Sequence, residues 1–252
     1  IWLWSELVLS DILVSGSLFE GPLLSEYETA ALLLSLKVSA VAVLASLPLG
    51  ILCAWLLARV EFHGKAIFDS LLHLPLVLPP VVVGYLLLIS MGRQGVIGQW
   101  LYNWFGISFS FSWRGAALAA AVVSFPLMVR AIRQSFETVD IRLEQAARTL
   151  GSSRWRVFLT ITLPLTSPGI VSGMIIAFAR SLGEFGSTIT FVSNIPGETR
   201  TIPLAMYSFI ETPGAEYQAM RLCIISIVIA LASLLASQWL TKKALKRTAS
   251  VC

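Results

Sequence analysis

The sequence predicts an all-α integral membrane protein with five core transmembrane helices, room for a weak extra helix at the N-terminus, and a charged helical loop between the third and fourth spans. Three observations predict it. The 252 residues are 56% hydrophobic and only 13% charged, with a mean hydropathy of +0.81, against roughly 25% charged in soluble domains. Five stretches lack charged side chains over most or all of a membrane-spanning length. The basic residues gather in the gaps between alternate stretches. Without alternation, strands of this length would leave their backbone unsatisfied in lipid, so the spans are helices.

Residues 1–29 carry Glu6, Asp11, Glu20, Glu26 and Glu28 but no Lys or Arg. A secretory signal needs a basic start and an unbroken apolar centre, so this segment is read as an outer-face amphipathic segment or a weak extra helix. Residues 30–241 form the transmembrane domain. Its apolar stretches are 38–58, 70–92, 115–129, 157–179 and 222–241. About 20 residues cross the hydrocarbon core, and the short third stretch qualifies once its flanking arginines snorkel. Residues 242–252 form a basic tail.

Arg59 and Lys65 lie between spans one and two. Arg130, Arg133, Arg142, Arg148, Arg154 and Arg156 lie between three and four, and Lys242, Lys243, Lys246 and Arg247 follow five. The positive-inside rule makes that side the cytoplasm, so the core enters from outside and ends inside. This bias also explains the net charge of +4, which is not a signature of nucleic-acid binding. Trp100, Tyr102, Trp104, Phe105, Phe109, Phe111 and Trp113 then fall on an outer loop, where amphipathic rings form an interfacial belt. Cys53, Cys223 and Cys252 show no metal or disulfide spacing. His63 and His73 have no partners at metal-ligand spacing.

Span two contains Pro75, Pro79 and Pro80. Proline lacks a donor and clashes with the preceding turn, so a bend within the span is expected, lining a path or packing on protein. After span four, Gly183 and Gly186 bracket Glu184 and Phe185, with Ser181, Ser187, Thr188 and Thr190 nearby. A turn is expected there, with hydroxyls that solvate an anion weakly enough for it to leave. Arg180 and Glu184 are spaced to pair across one helical turn, as a structural pair or as part of a path. Gly169 and Gly173 form a small-xxx-small pair that permits close helix contact.

The loop at 134–164 contains a local helix. Asp140 caps it, Ile141 begins it, Glu144 sits near its positive end, and Gly151 stops it in a left-handed conformation. Ten residues make a rod of about 15 Å. Leu143, Ala146, Ala147 and Leu150 share one apolar face. Arg142, Gln145 and Arg148 flank it, so a partner can approach the alanines closely while its carboxylates meet the arginines. An amphipathic helix lying on the inner leaflet is the alternative. Ser152 or Ser153 restarts a helix into span four.

Gln145-Ala146-Ala147, Gly151 and Ile161-Thr162-Leu163-Pro164 stand at the spacing Glu-Ala-Ala, three residues, Gly, nine residues, Ile-x-Leu-Pro. The chain resembles, over about residues 32–240, the permeases of binding-protein-dependent ABC importers, with Gln145 in place of the family's Glu and Glu144 one position earlier. Residues 74–87 and 181–203 look like the molybdate branch, while sulfate and thiosulfate permeases share the Gly-Glu-Phe-Gly or Gly-Glu-Tyr-Gly turn. The resemblance implies a coupling-helix loop at Arg142, Leu143, Glu144, Gln145, Ala146, Ala147, Arg148, Leu150, Gly151, Leu163 and Pro164. It implies translocation of molybdate, and of tungstate, by alternating access past Pro75, Pro79, Pro80, Ser181, Glu184, Phe185, Ser187, Thr188 and Thr190. It also implies a homodimer in the bacterial inner membrane, two cytoplasmic ATPase subunits that use ATP and Mg, and a periplasmic molybdate-binding protein, with no cofactor bound by this chain.

Gly64-Lys65 is followed by Ala66, so no Walker A loop is present and the energy source is a separate polypeptide. The competing classes are a proton-coupled carrier, a membrane enzyme and a membrane scaffold. The first two need ionisable groups within the spans, and only Lys37, Arg180 and Glu184 stand there, at span ends. A scaffold needs neither the loop spacing nor the proline break.

Overall fold

A computed structural model describes residues 25–249 of the chain; the predicted segment 1–29 lies outside the described residues up to position 24. Within the described residues all regular structure is helical. The first helix, α1 (Glu26–Arg59), starts before the apolar stretch because Ser25 closes a reciprocal cap with Glu28. Glu28 is fully buried and also pairs with Arg221 at 3.2 Å, which fastens α1 to the last helix, α11 (Glu216–Ala249). That last helix continues through the basic residues assigned to the tail.

Span two is two helices, α2 (Lys65–Val77) and α3 (Pro80–Met91), bent by 110° at Leu78 and Pro79. Pro75 sits inside α2, and Pro80 takes the first turn of α3, where no donor is required. The aromatic stretch expected as a loop is helical in its first half. Helix α4 (Val96–Phe105) opens after Gly95 and closes on Gly106, whose φ of 65° is the left-handed conformation that favours glycine. Phe109 and Phe111 remain in the connection.

Helix α5 (Trp113–Thr138) contains the shortest apolar stretch of the sequence and is the most buried of the span-length helices. Ala116, Ala119 and Ala120 are at most 1% exposed, because small side chains let α1 and α9 come close on either side. Short α6 (Ile141–Thr149) and α7 (Arg154–Val157) follow, and a π turn (Phe158–Thr162) runs from α7 into α8 (Leu163–Leu182). Pro164 and Pro168 cannot donate to the preceding turns, and the wider π register absorbs the first of these breaks. The chain ends with α9 (Gly186–Val192), α10 (Ile202–Glu211) and α11.

Helix α5 packs against α1, α2, α8 and α9 and is the axis of the bundle. Gly173 of α8 lies against it: a Cβ there would stand 2.9 Å from Ile132 Cγ1 and 3.1 Å from the Met128 carbonyl oxygen. The small-xxx-small pair therefore serves the α5–α8 contact. Replacing Gly173 by leucine is expected to destabilise the fold by about 1 to 3 kcal/mol through overpacking. Alanine at Gly183, where the nearest atom would be 4.0 Å away, is the tolerated control, and thermal unfolding of the detergent-solubilised protein compares the two.

Candidate functional site

Two sites stand at the two ends of α8, which spans about 30 Å at 1.5 Å per residue. The first is the turn after Leu182. Helix α8 stops at Gly183, and α9 starts at Gly186, leaving Glu184 and Phe185 between them. Glu184 is 3% exposed and closes the break: one carboxylate oxygen accepts the Ser187 amide at 2.9 Å and the Ser187 hydroxyl at 2.8 Å. The other meets Arg180 at 2.8 Å. The predicted Arg180–Glu184 pair is thus formed, and the guanidinium that balances the buried charge remains about a third exposed.

The proline break of span two lies directly on this turn. A Cβ on Gly186 would stand 2.8 Å from Pro80 Cβ, and one on Gly84 would stand 2.6 Å from the Ser187 carbonyl oxygen and 2.9 Å from Thr190 Cβ. Two interruptions more than a hundred positions apart are therefore one structural unit. Pro80, Ser187 and Thr190 meet there, Pro79 is the neighbour of Pro80 at the bend, and Pro75 lies within α2. Thr190 gives its hydroxyl to the Gly186 carbonyl at 2.8 Å and Ser187 gives its own to Glu184, so both hydroxyls are used within the chain. Ser181 differs, since its hydroxyl is buried without a partner, and Thr188 is also buried. Phe185 packs on Tyr207 at 5.3 Å between ring centres, and both line an apolar cavity of about 560 Å³ between α8, α10 and α11.

The second site is α6. Asp140 accepts the Arg142 amide at 2.9 Å as the N-cap. At the other end Gly151, with φ of 85°, lets its own amide reach the Arg148 carbonyl and lets the Ser152 amide reach that of Ala147. The helix is nine residues long, one shorter than expected, and Ser153 starts α7. Leu143 is 48% exposed and Leu150 86%, and Ala146, Arg142, Gln145 and Arg148 are also exposed. Only Glu144 and Ala147 are half-buried. The apolar face is therefore turned outward from its own chain. Leu163 and Pro164 stand at the junction of the π turn and α8.

Residues 46–245 match the family described as binding-protein-dependent transport system inner membrane component. The chain belongs to that family. It is 72% identical over 220 residues to the molybdenum transport system permease protein ModB of Escherichia coli (strain K12), covering 87% of this chain and 96% of that protein. The sulfate transport system permease protein CysT of the same organism is more distant, at 37% identity over 186 residues, 74% of this chain and 66% of that one. A crystal structure of a bacterial ABC transporter involved in the import of alginate shares the fold, with a TM-score of 0.68 at 19% identity over 96% of both chains. The chain is accordingly a permease component of an ABC importer and not an enzyme, and permeases of this family hold no cofactor themselves.

The sequence missed three residues that shape these sites. Gly84 has no local signal, because the contact that requires it comes from α9. Arg59 and Thr162, which hold Glu144 of α6, are separated from it by 85 and 18 positions. Replacing Glu184 by alanine is expected to strand Arg180 and the Ser187 amide. The loss is about 2 to 3 kcal/mol, below the full cost of a fully buried pair because Arg180 is partly solvated. Chemical denaturation of the solubilised protein measures it, and an unchanged midpoint would contradict this role for the carboxylate.

Proposed function

We propose that the chain is the permease subunit of a molybdate importer that also accepts tungstate. It works as a homodimer in the bacterial inner membrane, with two cytoplasmic ATPase subunits that use ATP and Mg and a periplasmic molybdate-binding protein. In this reading α6 is the coupling helix and faces the cytoplasm, as the basic residues on its side require. The observation that carries the reading is the outward-facing apolar surface of α6 at one end of α8, with the turn at 183–186 and the proline break at the other.

The geometry supports a mechanical sequence. An ATPase groove takes Leu143, Ala146 and Leu150, and its carboxylates meet Arg142 and Arg148. The clefts of two ATPases close on ATP and draw the two α6 helices together. Each α8 follows as a rod, because Ser153 and the π turn tie it to the loop. Movement of α8 shifts the turn at 183–186 against α3, whose contact at Gly84 is backbone to backbone and so has little slack. A tetrahedral dianion is costly to bare in lipid, so in this reading the path runs between two subunits related by a twofold axis, and Pro79, Pro80, Ser181, Thr188 and Thr190 line or gate it. The high identity to a molybdenum permease, against the distant match to a sulfate one, supports molybdate as cargo.

The test is uptake by proteoliposomes holding the permease, its ATPase and the binding protein. Radiolabelled molybdate should enter only with ATP, and a hundredfold excess of sulfate should leave its uptake nearly unchanged. Gly151→Val forces a branched side chain into a left-handed backbone, at about 1 to 2 kcal/mol, and opens the end of α6. Its uptake should fall at least tenfold in complexes that still assemble. Full uptake by this variant would defeat the coupling assignment, and strong competition by sulfate would favour a sulfate permease.

A further inference from the structure

Helix α6 makes little apolar contact with its own chain, yet α1 and the π turn both meet one of its side chains, and the end of α5 joins them through Arg59. Glu144 Oε1 lies 3.1 Å from Arg59 Nη2, at the last residue of α1. The same oxygen accepts the Thr162 hydroxyl at 3.0 Å, from the π turn. Arg59 Nη2 also donates to the Val139 carbonyl at 2.9 Å, at the end of α5 where the helix dipole favours a cation. Arg59 keeps only 11% of its side-chain surface and Glu144 20%, so the pair is largely withdrawn from water and from salt screening. Around it lies a groove of about 780 Å³, with Trp55 and Phe158 on its walls.

The connectivity gives this cluster its meaning. Helix α6 reaches α5 through Val139 and Asp140, and reaches α7 through Gly151, but no short segment joins it to α1. At the Gly151 joint the amides of Gly151 and Ser152 hold the last carbonyls of α6, so displacement passes on towards α7 and α8. Any displacement of α6 reaches α1 through the Arg59–Glu144 contact. The Arg59 Nε is buried without a partner, and the Nη2 arm makes both contacts.

We infer that Arg59 is a positioning residue for transport, joining the coupling helix to α1 so that ATP-driven movement of α6 carries α1 and α8 together. This deepens the proposed function and rests on it. It also gives an acid to the position next to Gln145: Glu144 faces inward to its own subunit, while Gln145 remains exposed on the groove.

The experiment uses the complete complex in proteoliposomes and reads molybdate taken up per ATP hydrolysed. A residue that only stabilises the fold lowers both in proportion; a residue that transmits motion lowers their ratio. Arg59→Ala is expected to lower the ratio at least fivefold, and Arg59→Lys to retain at least half of it. The exchange Arg59→Glu with Glu144→Arg should recover at least half of what either single reversal loses. If Arg59→Ala yields no assembled complex, the exchange measured against the single reversals carries the test. A ratio within twofold of the unsubstituted complex in Arg59→Ala, or an exchange no better than its single parts, overturns the inference. Absence of molybdate uptake by the unsubstituted complex defeats the cargo assignment alone. Stimulation of ATP hydrolysis by the binding protein, read in the same samples, then reports the Arg59 effect: loss in Arg59→Ala supports it, and full stimulation overturns it.

Discussion

A backbone amide inside a membrane has no water to turn to, so each interruption of a spanning helix must be closed by the protein itself. The architecture of this permease follows from how three interruptions are closed. At Leu78 and Pro79 the missing donors of Pro79 and Pro80 leave little to satisfy on the new helix start. At 183–185 a buried carboxylate takes the free amide and hydroxyl of Ser187, and Arg180 balances its charge. At 158–162 the helix widens by one residue ahead of Pro164 and keeps its bonding, with the Leu163 amide reaching the Phe158 carbonyl. Each break costs stability in isolation.

Close packing then turns these breaks into connected parts. Helix α5 is built of alanines where α1 and α9 cross it, and α8 meets it through Gly173. A bundle held by backbone proximity has little compliance, because interiors packed this tightly transmit displacement instead of absorbing it. The long α8 therefore links a surface that can meet a partner to a turn that touches the proline break. Apolar faces of α2, α3 and α11 remain exposed outside these contacts, as suits helices of a membrane protein.

Local features were legible in the sequence because their causes are local. Asp140, Ile141 and Gly151 bound α6 through capping and a left-handed turn, and the structure differs by one residue. Arg180 and Glu184 pair because they are four apart on one helix and its end. The proline cluster announced a bend, although not its 110°, which depends on packing against α9. Helix α4 was hidden by its aromatic content, which reads equally well as an interfacial loop, although Gly95 and Gly106 mark its ends. Gly84 and Arg59 were out of reach for a different reason: their partners lie far along the chain, and no periodicity connects them.

The π turn between α7 and α8 carries one residue more than a regular helix would hold over the same rise. Each residue of an α-helix advances the azimuth by about 100°. Without that surplus residue, the chain before the π turn would be rotated by roughly a quarter turn relative to α8. The direction in which the loop points is thus a matter of counting: a single position in span four aims a surface that lies outside the membrane.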